Sequence, residues 1–142
     1  MKIYLGADHG GFALKQDLLP FLKQLGHEVI DLGTDSEASV DYPQFGKAVA
    51  EQVVANPGAF GIIICGTGIG ISIAANKVAG ARAALCCHTT HARLTRQHND
   101  ANILALGGRT TGSEVAKDIV ATFLATDFEG GRHERRVHQL EG

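Results

Sequence analysis

The sequence predicts an α/β domain built on a doubly wound, five-stranded parallel sheet. Three observations predict it. Ile62-Ile63-Ile64 is a β-branched run without polar interruption, the pattern of a strand buried on both faces. A glycine-rich turn, Gly66-Thr67-Gly68-Ile69-Gly70, follows at once and leads into helical sequence. Strand-length and helix-length apolar stretches then alternate along the chain with short links, which requires crossover connections and helices on both sheet faces. The expected architecture is a Rossmann-like three-layer sandwich. At 142 residues it forms a single domain, 1–142, large enough to bury a core.

Each element has its own signal. Lys2 to Ala7 reads as the first strand and runs into the turn Ala7-Asp8-His9-Gly10-Gly11. A helix follows, with Phe12, Leu14, Leu18, Leu19, Phe21, Leu22 and Leu25 at helical spacing. Pro20 is its expected bend point and Gly26 its cap. His27 to Gly33 is a second strand and its exit, and Thr34 to Asp41 is a polar loop. Tyr42-Pro43 opens a helix that runs through Val54 and stops at Asn56-Pro57-Gly58. The helix after the glycine turn is expected to end near Gly80, and Ala81 to Cys87 to form the fourth strand. Thr89 or Thr90 can cap a helix beginning at His91 and fading at His98-Asn99-Asp100. Asn102 to Gly108 is the fifth strand, and a helix from Ser113 to Leu124 shows Val115, Ile119, Val120 and Phe123 on its apolar stripe. A short basic segment after Gly130-Gly131 ends the sequence.

Composition excludes several classes. A net charge of −2 supplies no positive field for nucleic acid. No run approaches the roughly 18 apolar residues of a membrane span. Met1 leads directly into strand sequence, without a signal-peptide pattern. Three cysteines, two of them adjacent at 86 and 87, do not make a disulfide framework, so a reducing, cytoplasmic setting is expected.

Ligands of doubly wound sheets bind at the carboxyl ends of the strands. That rule gathers four loops at one edge: Asp8-His9, Cys65 to Gly70, His88 to His91, and Gly107 to Arg109. The glycine loop lacks the G-x-G-x-x-G spacing of a dinucleotide site and the Gly-Lys-Ser/Thr of a nucleotide-phosphate loop. It is either a tight strand–helix turn or a simpler anion cradle formed by exposed N–H groups and a helix N-terminus. Cys65 at its rim is either an inert packed thiol or a general base whose thiolate form is favoured by the helix terminus. A phosphatase-type nucleophile would need arginine six residues on, where Ile71 stands. His88, His91 and His98 with Cys86 and Cys87 make a poor zinc set, because vicinal strand cysteines face opposite ways and no Cys-x-x-Cys exists. No metal or organic cofactor is expected. The polar knot Arg96-Gln97-His98-Asn99-Asp100 is either helix capping or a site. In the tail, Arg132 and Arg136 share one helical face. They form either a solvated basic end or, with Arg109, a phosphate clamp on this chain or a neighbouring one, giving segment 130–142 a place in a phosphate site.

Taken together, Gly6 to Gly11, Asp41-Tyr42-Pro43, Cys65 to Ser72, Ala74 to Lys77, Arg96 to Asn102 and Glu129 to His133 resemble ribose-5-phosphate isomerase type B, in order and over nearly the whole chain. The wider family contains galactose-6-phosphate and allose-6-phosphate isomerases. The resemblance implies a dimer, often paired into a tetramer, that interconverts ribose 5-phosphate and ribulose 5-phosphate through a cis-enediolate without a cofactor. It implies that Cys65 moves the proton between C1 and C2, that N–H groups from Gly66 through Gly68, Ile69 and Gly70 hold the enediolate oxygen, and that Thr67 hydrogen-bonds nearby. His98, from the partner subunit, would open the furanose ring with help from Asp8. His9, Arg132, Arg136 and Arg109 would bind phosphate, with Arg109 and Asn99 also coming from the partner. One branch of the family uses glutamate at the position of Ile71 as its base, so this chain resembles the cysteine branch. A six-carbon sugar phosphate and a non-catalytic sugar-phosphate sensor are the alternatives at this stage.

Overall fold

Ile62, Ile63 and Ile64 are fully buried in the middle strand of a five-stranded parallel sheet. The computed structural model describes all residues, 1–142. The elements are β1 (Lys2–Ala7), α1 (Phe12–Gln24), β2 (Glu28–Asp31), α2 (Tyr42–Ala55), β3 (Phe60–Cys65), α3 (Ile69–Asn76), β4 (Ala83–Leu85), α4 (Thr89–Asn99), β5 (Ile103–Gly107), α5 (Ser113–Ala125) and α6 (Arg132–Glu141). Strand order is β2-β1-β3-β5-β4, so the chain moves outward from β1 to β2, crosses to β3, reaches the far edge at β4 and returns to β5 between β3 and β4. The crevice between β1 and β3 is therefore the topological switch point.

Alternation along β3 divides the core in two. Ile62 and Ile64 face α1 and α5, packing with Leu18, Leu22, Ile119 and Phe123. Ile63 and Cys65 face α2 and α3, packing with Val49, Val53, Ile71 and Ala75. This period of two decides that the Cys65 sulfur lies on the α3 side, beneath the glycine turn.

Several elements differ from expectation. α3 stops at Asn76 rather than near Gly80, and β4 is only Ala83–Leu85. Both shorten because Asn76 turns its side chain onto the β4 backbone, bonding the Ala83 N–H and carbonyl. Neither Thr89 nor Thr90 caps α4; His88 holds the cap position with no side-chain bond. Val115 is exposed, and Ala116 takes its inward place on α5. α1 continues unbroken past Pro20, which sits on the solvent side. The basic tail is a helix in its own right. The vicinal thiols separate as expected, Cys86 inward and Cys87 outward. Burial, assisted by the neighbouring Cys87, pushes the Cys86 thiol up to about 12, which keeps it an uncharged packing group. No helix is long and apolar enough to cross a membrane.

The most deeply buried charge in this frame is a lysine. Lys15 is 1% exposed, and its Nζ meets Asp31 Oδ2 at 2.5 Å, while Asp31 Oδ1 accepts the Gly33 N–H. Asp31→Asn leaves the ammonium buried without a counter-charge. Because Asp31 is itself about a third exposed, the expected loss is at the low end for a broken buried pair, about 3 kcal/mol. Urea unfolding checks it, with the midpoint falling at unchanged slope.

Candidate active site

Three adjacent strand ends deliver the first group of residues. Register places Ala7 beside Ile64 and Cys65 beside Gly107, so Asp8, Gly66 and Gly108 leave the sheet side by side. The Gly108 N–H bonds the Cys65 carbonyl at 2.8 Å, and the Arg109 N–H bonds the Gly66 carbonyl at 2.9 Å. Asp8 is buried, with Oδ1 accepting the N–H groups of Gly10 (2.9 Å) and Gly11 (3.2 Å). Those two bonds fix the carboxylate and leave Oδ2 without a protein partner. The Val40 N–H donates to His9 Nδ1 at 3.2 Å. In the neutral ring the proton is then on Nε2, a donor free for an anion.

The glycine loop leaves backbone N–H groups without protein acceptors. Gly68 adopts φ +81°, and a Cβ there would lie 2.6 Å from Leu85 Cδ1 and 2.8 Å from the Leu106 carbonyl carbon. Only glycine makes this turn. It aims the Gly68 N–H at Cys65 Sγ, 3.2 Å away. The Ile69 N–H is taken by Thr67 Oγ1 at 3.2 Å. Gly68 and Ile69, both expected among the oxyanion donors, are therefore used inside the loop. The N–H groups of Gly66, Thr67, Gly70 and Ile71 have no acceptor in the protein. Ile71 is fully buried, whereas Gly66, Thr67 and Gly70 reach the surface. The turn thus supplies one N–H to the sulfur and leaves three at the surface without a protein acceptor.

Two side chains wall the cradle. The Arg109 guanidinium lies over Gly66, with Cδ and Nη1 each 3.4 Å from where that residue's Cβ would be. Arg109 therefore lies beside its own chain's glycine loop, where the Cys65–Gly107 register puts it. Tyr42, which sequence reasoning left without a role, packs its ring where a Cβ on Gly70 would stand, 2.6 Å away. Its sequence signals are its place at the helix start before Pro43 and the family resemblance of Asp41-Tyr42-Pro43.

His98, Asn99, Arg132 and Arg136 are elsewhere. α4 runs back across the sheet and ends just before β5 begins, so its C-terminus lies at the amino edge of the strands. The five residues of β5 separate that edge from the cradle by about 15 Å. α6 packs on α4, and Glu141 ties it to the start of β4 by accepting from Arg82 Nη1 at 2.7 Å and the Gly80 N–H at 3.0 Å. Arg132 and Arg136 are exposed on α6, one turn apart. The polar knot at 96–100 caps α4. Asp100 takes φ +47°, and its carboxylate is held by Arg96 Nη1 (2.9 Å) and Arg82 Nη2 (3.6 Å). His98 also stands among possible metal ligands, with donor atoms of His98, Glu129 and His133 within 4.8 Å of one another. The two imidazole planes are only 17° apart, however. A metal must lie in the plane of each ring it binds, so this is a stack and not a chelate.

One chain therefore carries two half-sites at opposite edges: a cradle with a thiol, and a basic corner with a histidine. A doubly wound sheet with an amide cradle and a thiol at its switch point defines an enzyme that handles small anionic substrates. The family is more definite: the chain belongs to the ribose/galactose isomerase family, whose model matches residues 3–140, and it is an isomerase. It is 50% identical to ribose-5-phosphate isomerase B of Escherichia coli, over 98% of this chain and 93% of that protein. The structure of ribose-5-phosphate isomerase B from Clostridium thermocellum superposes with TM-score 0.97 at 57% identity, covering 99% of this chain and 95% of that one. That of the Mycoplasma genitalium enzyme, with bound ribulose 5-phosphate, superposes with TM-score 0.95 at 42% identity, covering 99% and 93%.

Proposed function

We propose that this isomerase interconverts ribose 5-phosphate and ribulose 5-phosphate, with Cys65 as the base, in a site that two copies of the chain complete together. The observation that carries the proposal is the cradle. A sulfur receives one loop amide while three neighbouring surface amides, of Gly66, Thr67 and Gly70, have no acceptor in the protein. The names of the relatives and the ribulose 5-phosphate bound to one of them support the substrate.

The chemistry follows from the groups. His98 of the second copy gives a proton to the ring oxygen while Asp8 takes the proton of the anomeric hydroxyl, and the furanose opens to the aldehyde. The Cys65 thiolate then takes the C2 proton, and the electron pair moves into the C1–C2 bond and onto O1. The free amides of Gly66, Thr67 and Gly70 hold that charge. Preorganised donors of this kind are worth about 3–4 kcal/mol each in the barrier. The O2 proton passes to O1, and the thiol returns its proton to C1. His9 and Arg109, with Arg132, Arg136 and Asn99 of the second copy, hold the phosphate and fix C1 and C2 against the sulfur. A homodimer, or a tetramer built from it, is part of the proposal, as is a reducing, cytoplasmic setting in which three free thiols persist.

A panel of aldose phosphates with chelator present tests the substrate. Ribose 5-phosphate is expected to exceed allose 6-phosphate in kcat/KM by at least about tenfold, the discrimination one additional carbon can give. The reverse preference would move the assignment to six-carbon substrates.

A further inference from the structure

The corner that presents His98 contains an arrangement the proton shuttle does not use. The His98 ring stacks on His133 with centroids 4.4 Å apart and planes 17° from parallel. His133 is buried, and its Nε2 lies 3.4 Å from Glu129 Oε1. The Glu129 N–H in turn donates at 3.2 Å to the carbonyl of Gln97, the residue before His98. Gly130 and Gly131, at φ +67° and +55°, let the chain double back so that α6 brings His133 onto the end of α4. Side chain and backbone of Glu129 thus clasp both members of the stack.

We propose that His133 and Glu129 are positioning residues for His98, fixing the plane and direction of its imidazole before a substrate arrives. This rests on the assignment of His98 to ring opening. The physical need is clear. His98 is half-exposed in the last turn of a helix, and its side chain makes no hydrogen bond with the protein. Unsupported, such a ring samples several rotamers, whereas proton transfer needs the nitrogen within hydrogen-bond reach of the sugar's ring oxygen. A buried ring beneath it fixes the plane. The carboxylate on the far nitrogen of that ring holds His133 in turn, as an outer partner orients a ligating histidine. All of these groups belong to one chain, so the second copy supplies its acid preassembled.

Ribulose 5-phosphate separates positioning from mere structure. Its 5-oxygen carries the phosphate, so it has no furanose form, and exchange of its C1 hydrogen with solvent deuterium needs the Cys65 half-reaction but no ring opening. His133→Ala is expected to lower kcat for ribose 5-phosphate by about 10–100-fold with little change in KM, the penalty of a misplaced group. C1 exchange from ribulose 5-phosphate should stay within about twofold of the parent. His133→Phe, which keeps a ring to stack on, should recover part of the loss. Glu129→Gln should show the same split more weakly, and because Glu129 is 52% exposed it serves as the test if His133→Ala does not fold. Equal losses in both assays, or unaltered ribose 5-phosphate turnover in His133→Ala and Glu129→Gln, would overturn the proposal. His98→Ala, measured alongside, keeps the two assignments apart: if it retains ribose 5-phosphate turnover, the role of His98 itself is wrong.

Discussion

Cys65→Ala is expected to fold, to bind sugar phosphate, and to lose turnover by about 10³-fold, within the range for removing a positioned general base. The sulfur has one directed contact, the Gly68 N–H at 3.2 Å. Its loss leaves that amide unsatisfied at a cost of about 1–3 kcal/mol, which a domain of this size tolerates. The free amides of Gly66, Thr67 and Gly70, with Arg109 and His9, are untouched, so the anion keeps its donors. Cys65→Ser sharpens the test. A hydroxyl can still accept from Gly68, but it is a far weaker acid than a thiol and yields no useful base. Both variants should therefore be inactive, and both should lose C1 exchange from ribulose 5-phosphate, which His98→Ala should keep. Circular dichroism and calorimetric titration with ribose 5-phosphate would establish folding and binding. Turnover within tenfold of the parent in a folded Cys65→Ala protein would assign the proton transfer to another group.

Much of this arrangement was legible from residue order. An unbroken Ile62–Ile64 run, followed by alternate glycines, is sufficient for a buried parallel strand feeding a helix, and the switch-point rule then brings Asp8 and Arg109 to the same edge. Local competition was not legible. Which amides of the loop stay free depends on Thr67 Oγ1 and Cys65 Sγ taking Ile69 and Gly68, a matter of ångströms that spacing does not encode. The early end of α3 turned on one side chain, Asn76, bonding the β4 backbone. The tail reads as a basic segment with Arg132 and Arg136 on one helical face, but its docking is not legible, because that depends on His133 and Val137 being buried and on α6 packing against distant α4. Likewise Tyr42 and His133 act through contacts across the fold, and nothing in their immediate neighbours announces them.

Mixing two inactive variants is expected to restore activity. A sheet strand stands between the thiol at the carboxyl edge and His98 at the amino edge, so no side-chain rotation within one chain unites them. If each site takes its cradle from one copy and its basic corner from the other, a Cys65→Ala chain still donates an intact His98, and a His98→Ala chain still donates an intact Cys65. In a mixed dimer one site carries both lesions and the other carries none. Random pairing of equal amounts makes half the dimers mixed, which returns roughly a quarter of the parent activity from two nearly silent preparations. The exposed Ile69 and Ile73 on α3, beside the cradle, mark apolar surface that pairing could cover, and subunit exchange is to be confirmed by mass spectrometry. Arg109 gives the control. Because it lies over its own chain's Gly66, Arg109→Ala should complement His98→Ala but not Cys65→Ala. An Arg109 that acted across the interface would reverse that pattern, and a mixture that exchanges subunits yet stays inactive would mean that each chain catalyses alone.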